Sequence, residues 1–552
     1  MTTMRTSFMS GIKKIYRTIA SDPWLWVLLV GSFIGIWHAL PLTNVINDEM
    51  YFVGGVLRAI QAKSVIPLLG DAPYGLLTFW LNYILFVVLL CILFVIFGFR
   101  GSVLTSFLVK QASWLYLVPR FLNALIAGVS LFIFKDIFQR VGIEKRTQIL
   151  LVFALFTNLI TTAVLHTGKM WVLSVTLVIL SIRFLYLTVR EKGDAEAQSR
   201  NIFFSILFAF LAFANFPLCG FALIAIPILF AFHRSDTRLV WAIGKSTLIG
   251  AALFVALFLM NAGNIINQVT DIFTVYHPIG AAAAVRSGIG FGPSFVMHAT
   301  QVLILFPLLL CLIGIGVFRG VKDRPLLYIA SSYATVYFIM ICVLVTWSSD
   351  LSANLRYLFP LGSFFVLMAA SLSLPVGRWM TALCGLFCIP YLFFLYLISV
   401  PTTYNQAVSW AVSDPALHGA VIINQIGPRL DVPKDARSYR LTQEKFCGSK
   451  CQEALRSPDA SSVPFLVIDA ESTSTLPVFG GDLYRFTTST VPLPGETLVR
   501  TFSDGGPDHT GFEIDYAVGN YFDPSFYLIK RFGEQVSVFR QAAHKTGAGP
   551  SP

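Results

Sequence analysis

Charged residues are scarce in this chain. They make up 12% of its 552 residues, whereas hydrophobic residues make up 56%; a soluble globular protein carries about 25% charged residues. Runs of roughly 20 apolar residues recur between Trp24 and Val400, and each run is long enough to cross a bilayer as a helix. This scarcity excludes a soluble globular protein and predicts a polytopic helical membrane protein.

Signatures of other protein classes are also missing. The sequence shows no internal repeats, no heptads and no nucleotide-binding glycine loop after its strand-like runs. The net charge of +11 does not indicate a nucleic-acid partner, because the Lys and Arg residues cluster in short loops between apolar runs, as membrane orientation requires. The apolar run after the basic residues 1–22 is too long for a signal peptide, which predicts an uncleaved anchor.

Cysteine is rare outside the apolar runs. Most of the eight Cys residues lie within predicted spans, where a small apolar thiol packs well. Cys447 and Cys451 lie instead in the polar stretch CGSKC, and we expect them to form a disulfide if this region faces an oxidising compartment. A metal site at this pair would need further ligands that the neighbouring sequence does not offer.

The apolar runs define the predicted transmembrane path. They lie at residues 23–41, 76–98, 113–134, 147–165, 170–189, 202–232, 241–261, 299–318, 326–347, 357–375 and 379–400. The run at 202–232 is too long for one crossing and is interrupted by ANFPLCG, which predicts two short helices with a turn at 215–220.

The distribution of Lys and Arg favours one orientation of this path. If the run at 76–98 lies in the membrane without crossing it, most of the Lys and Arg residues fall on the same side of the membrane. That side is then cytoplasmic, because cytoplasmic loops carry an excess of Lys and Arg. We therefore predict about eleven crossings, a juxtamembrane apolar helix at 76–98, a cytoplasmic N-terminus and an extracytoplasmic C-terminal region. The protein is expected to be a multi-pass protein of the cell (inner or plasma) membrane.

Composition changes after Val400. Strand-like runs such as GAVIIN and PFLVID alternate with turn clusters, which predicts a small α/β domain, and the Gly-, Pro- and Ser-rich end predicts disorder. The predicted parts are a cytoplasmic N-terminus (1–22), a transmembrane domain (23–400, with a first outer loop at 42–112), an extracytoplasmic α/β domain (401–542) and a disordered tail (543–552).

Acids, bases and aromatic residues collect on the predicted outer face. They are Asp48, Glu49, His166, Lys169, His277, Arg286, Arg356 and Tyr357. Such a set suits acid–base chemistry beside an anionic lipid headgroup. Arg120 lies inside an apolar run, where a charge is costly unless it is paired.

Structural interpretations of the same residues stay open. Asp48 and Glu49 would also suit a pair of solvated acids, and Asn47 or Asp48 would suit the N-cap of the next helix. His166 and Lys169 would also suit an interfacial pair that reaches towards headgroups. Arg356, at the entrance of a span, would also suit a headgroup anchor.

The order of these motifs resembles a known family. NDEMYFVGGVLRA followed by APYGLLTFWLNYI resembles the first outer loop of GT-C fold, polyprenyl-phosphate-dependent membrane glycosyltransferases. It is most similar to the branch with the protein O-mannosyltransferases and the aminoarabinose transferase of lipid A. Members of this branch carry an acidic pair here and then two adjacent prolines, the second of which is replaced by Gly75 in this chain.

Later segments extend the resemblance. VPRFLNALIAG is similar to a family helix that starts at an arginine, here Arg120, and NLRYLFPL is similar to a late element matched at Arg356, Tyr357 and Pro360. Where many members carry a second acid, this chain has the HTGKMW turn instead. The resemblance covers most of residues 20–400.

The resemblance implies sugar transfer from a polyprenyl-phosphate donor to a glycan, lipid or protein acceptor on the outer face. Asp48 would be the base that takes the acceptor's proton, and Glu49 would be the second choice for that role or would position the acceptor. The reaction would invert the anomeric carbon. The residues implied in binding the donor's lipid phosphate are His166, Lys169, Arg356, Tyr357, Arg120, Arg286 and His277. Some relatives in the broader fold use a divalent metal at the acids, but no complete ligand set is seen here and no metal is predicted.

Two other functions stay open at this point. A transporter or lipid flippase would carry buried charges in mid-span and two related halves, whereas only Arg120 and Arg183 lie within spans and no repeat is detected. A receptor or assembly protein that uses the C-terminal region also stays open, because that region has no catalytic signature.

Overall fold

The structure is a computed structural model. It describes residues 22–40, 49–72, 74–110, 112–190, 194–267, 290–345, 355–374, 377–426, 437–441, 465–470, 482–503 and 522–541. The predicted site and disulfide residues that lie outside these ranges are Asp48, His277, Arg286, Cys447 and Cys451. The tail at 543–552 also lies outside them.

Helices dominate the described residues. In chain order they are α1 (Pro23–Phe33), α2 (Glu49–Gln61), α3 (Leu76–Ile96), α4 (Gly101–Lys110), α5 (Leu117–Val141), α6 (Lys145–Phe156), α7 (Leu159–Leu165), α8 (Trp171–Arg190), α9 (Ala195–Asn215), α10 (Ala225–His233), α11 (Thr237–Met260), α12 (Phe291–Leu305), α13 (Pro307–Arg319), α14 (Arg324–Val345), α15 (Phe359–Ala370), α16 (Arg378–Ser399) and α17 (Thr403–Ser413).

Several of these helices can span a membrane. By length and composition the described residues contain seven such helices, or up to nine if each of two bent pairs counts as one crossing. The predicted fold class, a polytopic helical protein with a small C-terminal α/β region, is confirmed. The count of about eleven crossings stays a prediction, and so does the statement that the run at 76–98, now helix α3, does not cross.

The two bent pairs have local causes. Helices α6 and α7 meet at 68°, where the Asn158 side chain accepts hydrogen bonds from the amides of Ile160 and Thr161 and so starts a new helix. Helices α12 and α13 meet at 92°, because Pro307 has no amide hydrogen to continue the ladder and disfavours helical backbone at Phe306.

The run at 202–232 breaks where the sequence predicts. Helix α9 ends at Asn215, a 3₁₀-helix covers Pro217–Ile224, and α10 follows. The prediction of two short helices is wrong for the first of them, because α9 has 21 residues. It begins well before the apolar run, at an N-cap formed by Asp194, whose carboxylate accepts from the amides of Glu196 and Ala197.

The chain divides into two compact units. One holds Met1–Ile36, Asp48–Leu89 and Val118–Leu395, and the other holds Trp37–Asn47, Leu90–Leu117 and Tyr396–Pro552. The predicted domain limits at 23–400 and 401–542 stay predictions.

The described residues of the second unit include a six-stranded mixed sheet. Its strands are β1 (Ala420–Asn424), β2 (Arg437–Leu441), β3 (Phe465–Ala470), β4 (Leu483–Thr487), β5 (Glu496–Phe502) and β6 (Val536–Gln541), in the spatial order β2-β3-β1-β4-β6-β5. The first four strands of that order are parallel, and β6 runs antiparallel to both β4 and β5. Strands β1 and β3 are almost wholly buried, as central parallel strands are.

Helix α17 supplies part of the core of this unit. Its buried apolar residues recur at helical spacing and share one hydrophobic cluster with side chains from the sheet. The helix contributes Tyr404, Ala407, Val408 and Ala411 to that cluster.

In the first unit, an ion cluster at Asp22 joins three helices. Asp22 precedes α1, and its carboxylate pairs with Lys135 of α5 and, at 2.6 Å, with Lys145 of α6. Burial alone would raise the pKa of Asp22, but the two lysines outweigh it and hold that pKa below its usual value.

Candidate functional site

Glu49, the first residue of α2, lies at the centre of the candidate site. Its side chain is fully buried and forms a forked ion pair with Arg120 of α5, whose Nε and Nη2 donate to Oε1 at 3.0 Å and Oε2 at 2.8 Å. The Gly168 amide donates to Oε1 at 2.5 Å. Both carboxylate oxygens are thus occupied by fixed donors, so this geometry favours a positioning role for Glu49 over proton transfer.

Arg120 extends this arrangement to the first span. Its side chain is 2% exposed, and its Nη1 donates to the carbonyl of Ile36, just after α1, at 2.9 Å. A buried charge of this kind is stable only when it is paired and hydrogen-bonded. Arg120 is paired here with Glu49, one of the two predicted acids, and its predicted contact with a lipid phosphate stays a prediction.

The turn between α7 and α8 supplies the third donor. A Cβ atom at Gly168 would lie 2.8 Å from the Cβ and Cγ atoms of Pro119, so only glycine fits at this approach. The amide of Asn123 donates to the carbonyls of Thr167 at 2.5 Å and Lys169 at 2.7 Å. The turn is thereby held on both sides of the residue whose amide reaches Glu49.

The His166 side chain lies between the ends of α1 and α7. Its Nδ1 lies 2.6 Å from the carbonyl of Thr162, and its Nε2 lies 2.7 Å from the carbonyl of Ile34. Burial lowers the pKa of the imidazole, although hydrogen bonding to these carbonyls opposes the shift. Both ring nitrogens face backbone oxygens here, so the predicted contact with a lipid phosphate stays a prediction that this geometry does not favour.

Lys169 and Tyr357 lie around the start of α8. The Lys169 side chain is buried, and two residues later the ring of Trp171 lies 5.3 Å from that of Tyr357 and 4.3 Å from that of Phe216. Arg356, beside Tyr357 in the 3₁₀-helix Leu355–Leu358, is partly buried. The structure thus brings Glu49 and the four sequence-predicted positions 120, 166, 169 and 357 into one connected region.

Asp71 is a buried acid that the sequence interpretation missed. Its side chain is 6% exposed, and its Oδ1 accepts from Nε of Arg58 at 2.9 Å, whereas Oδ2 is buried and has no partner among the described residues. A Cβ atom at Gly55 of α2 would lie 3.3 Å from the Cβ of Asp71. Gly55 is six residues beyond Glu49, about 9 Å along the helix axis.

The backbone around Asp71 is held by the end of α11 and the residues after it. Asn264 accepts from the amide of Gly70 at 2.7 Å and donates to the carbonyl of Leu68 at 3.0 Å. Asn261 donates to the carbonyl of Ala72 at 2.9 Å. A lone aspartate in a polar loop has no sequence pattern that could have singled it out, because these partners lie almost 200 residues away.

Asn215 fixes the start of α3. Its Oδ1 accepts from the amide of Thr78 at 3.0 Å, its Nδ2 donates to the Ser174 hydroxyl at 2.8 Å, and its carbonyl accepts from the amide of Gly75 at 2.7 Å. Gly75 has a φ of +78°, and a Cβ atom there would lie 2.8 Å from the ring of Phe52. A proline cannot adopt that φ, so a proline at this position would require another backbone conformation.

No cluster of three or more His, Cys, Asp or Glu side chains that could hold a metal ion occurs in the part of the chain that the structure describes. The residues around Glu49 do not resemble such a site, since its carboxylate is engaged by an arginine and a backbone amide. The arrangement suits hydrogen bonding and charge neutralisation by protein groups.

Comparison with known proteins gives likenesses among solved structures. No protein-family model matches the chain, and no curated protein matches it. ArnT from Cupriavidus metallidurans bound to undecaprenyl phosphate is similar at 12% identity and a TM-score of 0.45, over 96% of this chain and 98% of that chain. For the same protein in the apo state the values are 11% and 0.44, over 86% and 93%.

The oligosaccharyltransferase of Archaeoglobus fulgidus in the apo form is similar at 11% identity and a TM-score of 0.39, over 72% of this chain and 59% of that chain. The roles of individual side chains rest on the geometry of this chain.

Proposed function

We propose that the protein is an integral membrane glycosyltransferase that moves a sugar from a polyprenyl-phosphate donor to a glycan, lipid or protein acceptor at the outer face of the membrane. The observation that carries this proposal is the buried Glu49–Arg120 pair with the Gly168 amide. It fixes the residue directly after Asp48 in the loop whose sequence resembles that of the lipid-dependent glycosyltransferases. A solvated pair of acids or a simple helix cap would not need this arrangement.

In the proposed reaction the acceptor hydroxyl attacks the anomeric carbon of the donor sugar. Its proton passes to Asp48, a new carbon–oxygen bond forms, and the bond between the sugar and the lipid phosphate breaks. A single base with direct attack inverts the anomeric carbon. Glu49 does not take the proton in this scheme; it anchors the backbone on which Asp48 is presented.

The leaving group is a lipid phosphate, whose charge needs fixed cations. We assign this role to Lys169 and Arg356, while Arg120 is placed in the ion pair with Glu49. His277 and Arg286 stay candidates for the same role. His166 is assigned to the support of the α1 and α7 ends.

Asp71 is proposed to bind a hydroxyl group of the sugar or the acceptor. Its Oδ2 is an acceptor with no partner among the described residues, and a buried carboxylate oxygen without a donor is costly until a ligand supplies one. Asp71 lies against Gly55, which is about 9 Å from Glu49 along the axis of α2.

The bent helices favour one second candidate, a transporter or flippase. Broken spans are common at transporter substrate sites, and here the two breaks meet, since the Asn158 amide donates to the carbonyl of Leu305. These contacts join protein groups to each other, so they also serve as structural bonds in an enzyme.

The test uses the purified full chain in proteoliposomes with a panel of polyprenyl-phosphate sugars and an envelope extract as acceptor. We expect release of polyprenyl phosphate together with a glycosylated product, and loss of both in Asp48→Asn. Asp194→Asn, at an exposed N-cap of α9, is the matched control and should transfer sugar at the wild-type rate. Lipid that changes leaflet without any sugar transfer would overturn the proposal in favour of a flippase.

A further inference from the structure

We infer that Asn123 is a positioning residue for the proposed sugar transfer: its two amide hydrogens fix the turn whose Gly168 amide orients Glu49, and through Glu49 the adjacent Asp48. The inference rests on the proposed function and names a residue that neither the sequence motifs nor the family resemblance marks.

The geometry requires a primary amide at this position. Asn123 is almost fully buried, and its single Nδ2 atom donates to two carbonyls that flank Gly168, those of Thr167 and Lys169. A hydroxyl has one hydrogen to donate, a carboxylate has none and an apolar side chain has none. Only an amide of this length satisfies both carbonyls from one nitrogen.

The consequence falls on the Gly168 amide. With the carbonyls on both sides held, the peptide that carries this N–H faces Oε1 of Glu49 at 2.5 Å. Gly168 also packs against Pro119 of α5, so the turn cannot move towards that helix. Glu49 therefore receives one donor whose direction is set by Asn123.

Helix α5 carries two residues that orient the Glu49 carboxylate. Asn123 lies three residues after Arg120, and residues at that spacing share a helix face. Arg120 donates directly to the Glu49 carboxylate, whereas Asn123 acts on it through the turn that carries the Gly168 amide. Both hydrogens act on the backbone, while Oδ1 of Asn123 is buried and has no partner among the described residues. An apolar side chain would avoid that unpaired oxygen, so the donor pair accounts for the asparagine.

The test compares Asn123→Leu, which keeps the branched shape of the side chain and removes both donors, with Asn82→Leu. Asn82 is an equally buried asparagine of α3 whose amide donates to the carbonyl of Thr78 of its own helix. We expect Asn123→Leu to lower kcat for sugar transfer by about 10- to 100-fold, since a displacement of about 1 Å at a reacting group costs that much. KM for the donor should change less than about twofold, because Asn123 itself contacts no substrate and bonds the backbone carbonyl of Lys169, not the side chain proposed to bind the phosphate.

A second arm separates positioning from a general loss of structure. In a Glu49→Gln background, Asn123→Leu should reduce kcat by less than about twofold, because its effect passes through Glu49. Hydrogen exchange of the Gly168 amide should accelerate in Asn123→Leu and stay at the wild-type rate in Asn82→Leu.

Each outcome has a defined meaning. Equal reductions of kcat in the wild-type and Glu49→Gln backgrounds, or wild-type turnover in Asn123→Leu, would overturn the inference. If the wild-type protein transfers no sugar, the proposed function fails. Even then, an unchanged exchange rate of the Gly168 amide in Asn123→Leu would show that Asn123 does not hold the turn.

Discussion

Replacing Glu49 by glutamine breaks the ion pair at the centre of the site. The substitution keeps the shape of the side chain but leaves the Arg120 guanidinium, 2% exposed, facing a neutral amide. The new NH₂ group is itself a hydrogen-bond donor, and it faces N–H donors from which the carboxylate oxygens accepted. Removing one member of a buried pair costs about 3–5 kcal/mol, because the other charge stays buried without compensation.

The double variant gives this prediction its diagnostic value. Arg120→Met alone strands the Glu49 carboxylate and should also cost about 3–5 kcal/mol. With Glu49→Gln and Arg120→Met combined, no charge is left uncompensated. The loss in the double variant should therefore be smaller than the sum of the single losses by about 3 kcal/mol.

The assay is the free energy of unfolding of the detergent-solubilised protein for the four members of this cycle. A control cycle at Arg540 and Asp482, an ion pair in which the arginine side chain is 46% exposed, should show a coupling below about 1 kcal/mol. If the two cycles give the same small coupling, the Glu49–Arg120 pair does not hold the site together and the reasoning fails.

Three further predictions address other parts of the molecule. Gly168→Ala places a methyl group 2.8 Å from the ring carbons of Pro119 and should lower kcat about tenfold or more by displacing the amide from the carboxylate that it binds; wild-type turnover would contradict this close packing. Asp22 has a lowered pKa, so its two lysine bonds stabilise the fold above the unfolded value of 3.8, and this stabilisation is lost as pH falls below that value. Asp22→Asn should therefore flatten the dependence of the unfolding free energy on pH in this acid range. An unaltered dependence would refute the assignment. Asp71→Asn should raise KM for donor or acceptor about tenfold, and an unchanged steady-state profile would remove it from the site.

The fold was predictable as far as its determinants are local. Apolar runs are read directly from hydropathy, so the positions of α3, α5, α8, α11, α14 and α16 follow from the sequence. The break after Asn215 follows from the ANFPLCG interruption. The long start of α9 was missed because its first turn is polar and its signal is the N-cap at Asp194.

The site was predictable only in its residue types. The acid pair and Arg120 were singled out, but their pairing joins residues 71 positions apart, and the Gly168 contact joins residues 119 positions apart. No periodicity encodes such contacts. Asn123 and Asn215 were passed over because a buried asparagine is recognisable only from the carbonyls and amides that surround it.

The same limit explains why the two acids could not be separated. Adjacent carboxylates look alike in a sequence, and their roles depend on which donors reach each of them. The structure gives those donors for Glu49, which accepts from Arg120 and Gly168. Asp48 lies outside the described residues, so its role as the base is a proposal that kinetics must test.

The measurement that tests the central claim most directly is the initial rate of sugar transfer by Asp48→Asn and Glu49→Gln across a range of pH. Loss of the general base should lower kcat by about 10²- to 10⁴-fold in Asp48→Asn and remove the pH-dependent limb of the profile. Glu49→Gln should be slower than the wild-type protein but keep that limb. If Asp48→Asn retains the wild-type rate and limb while Glu49→Gln loses both, the account of this site is contradicted.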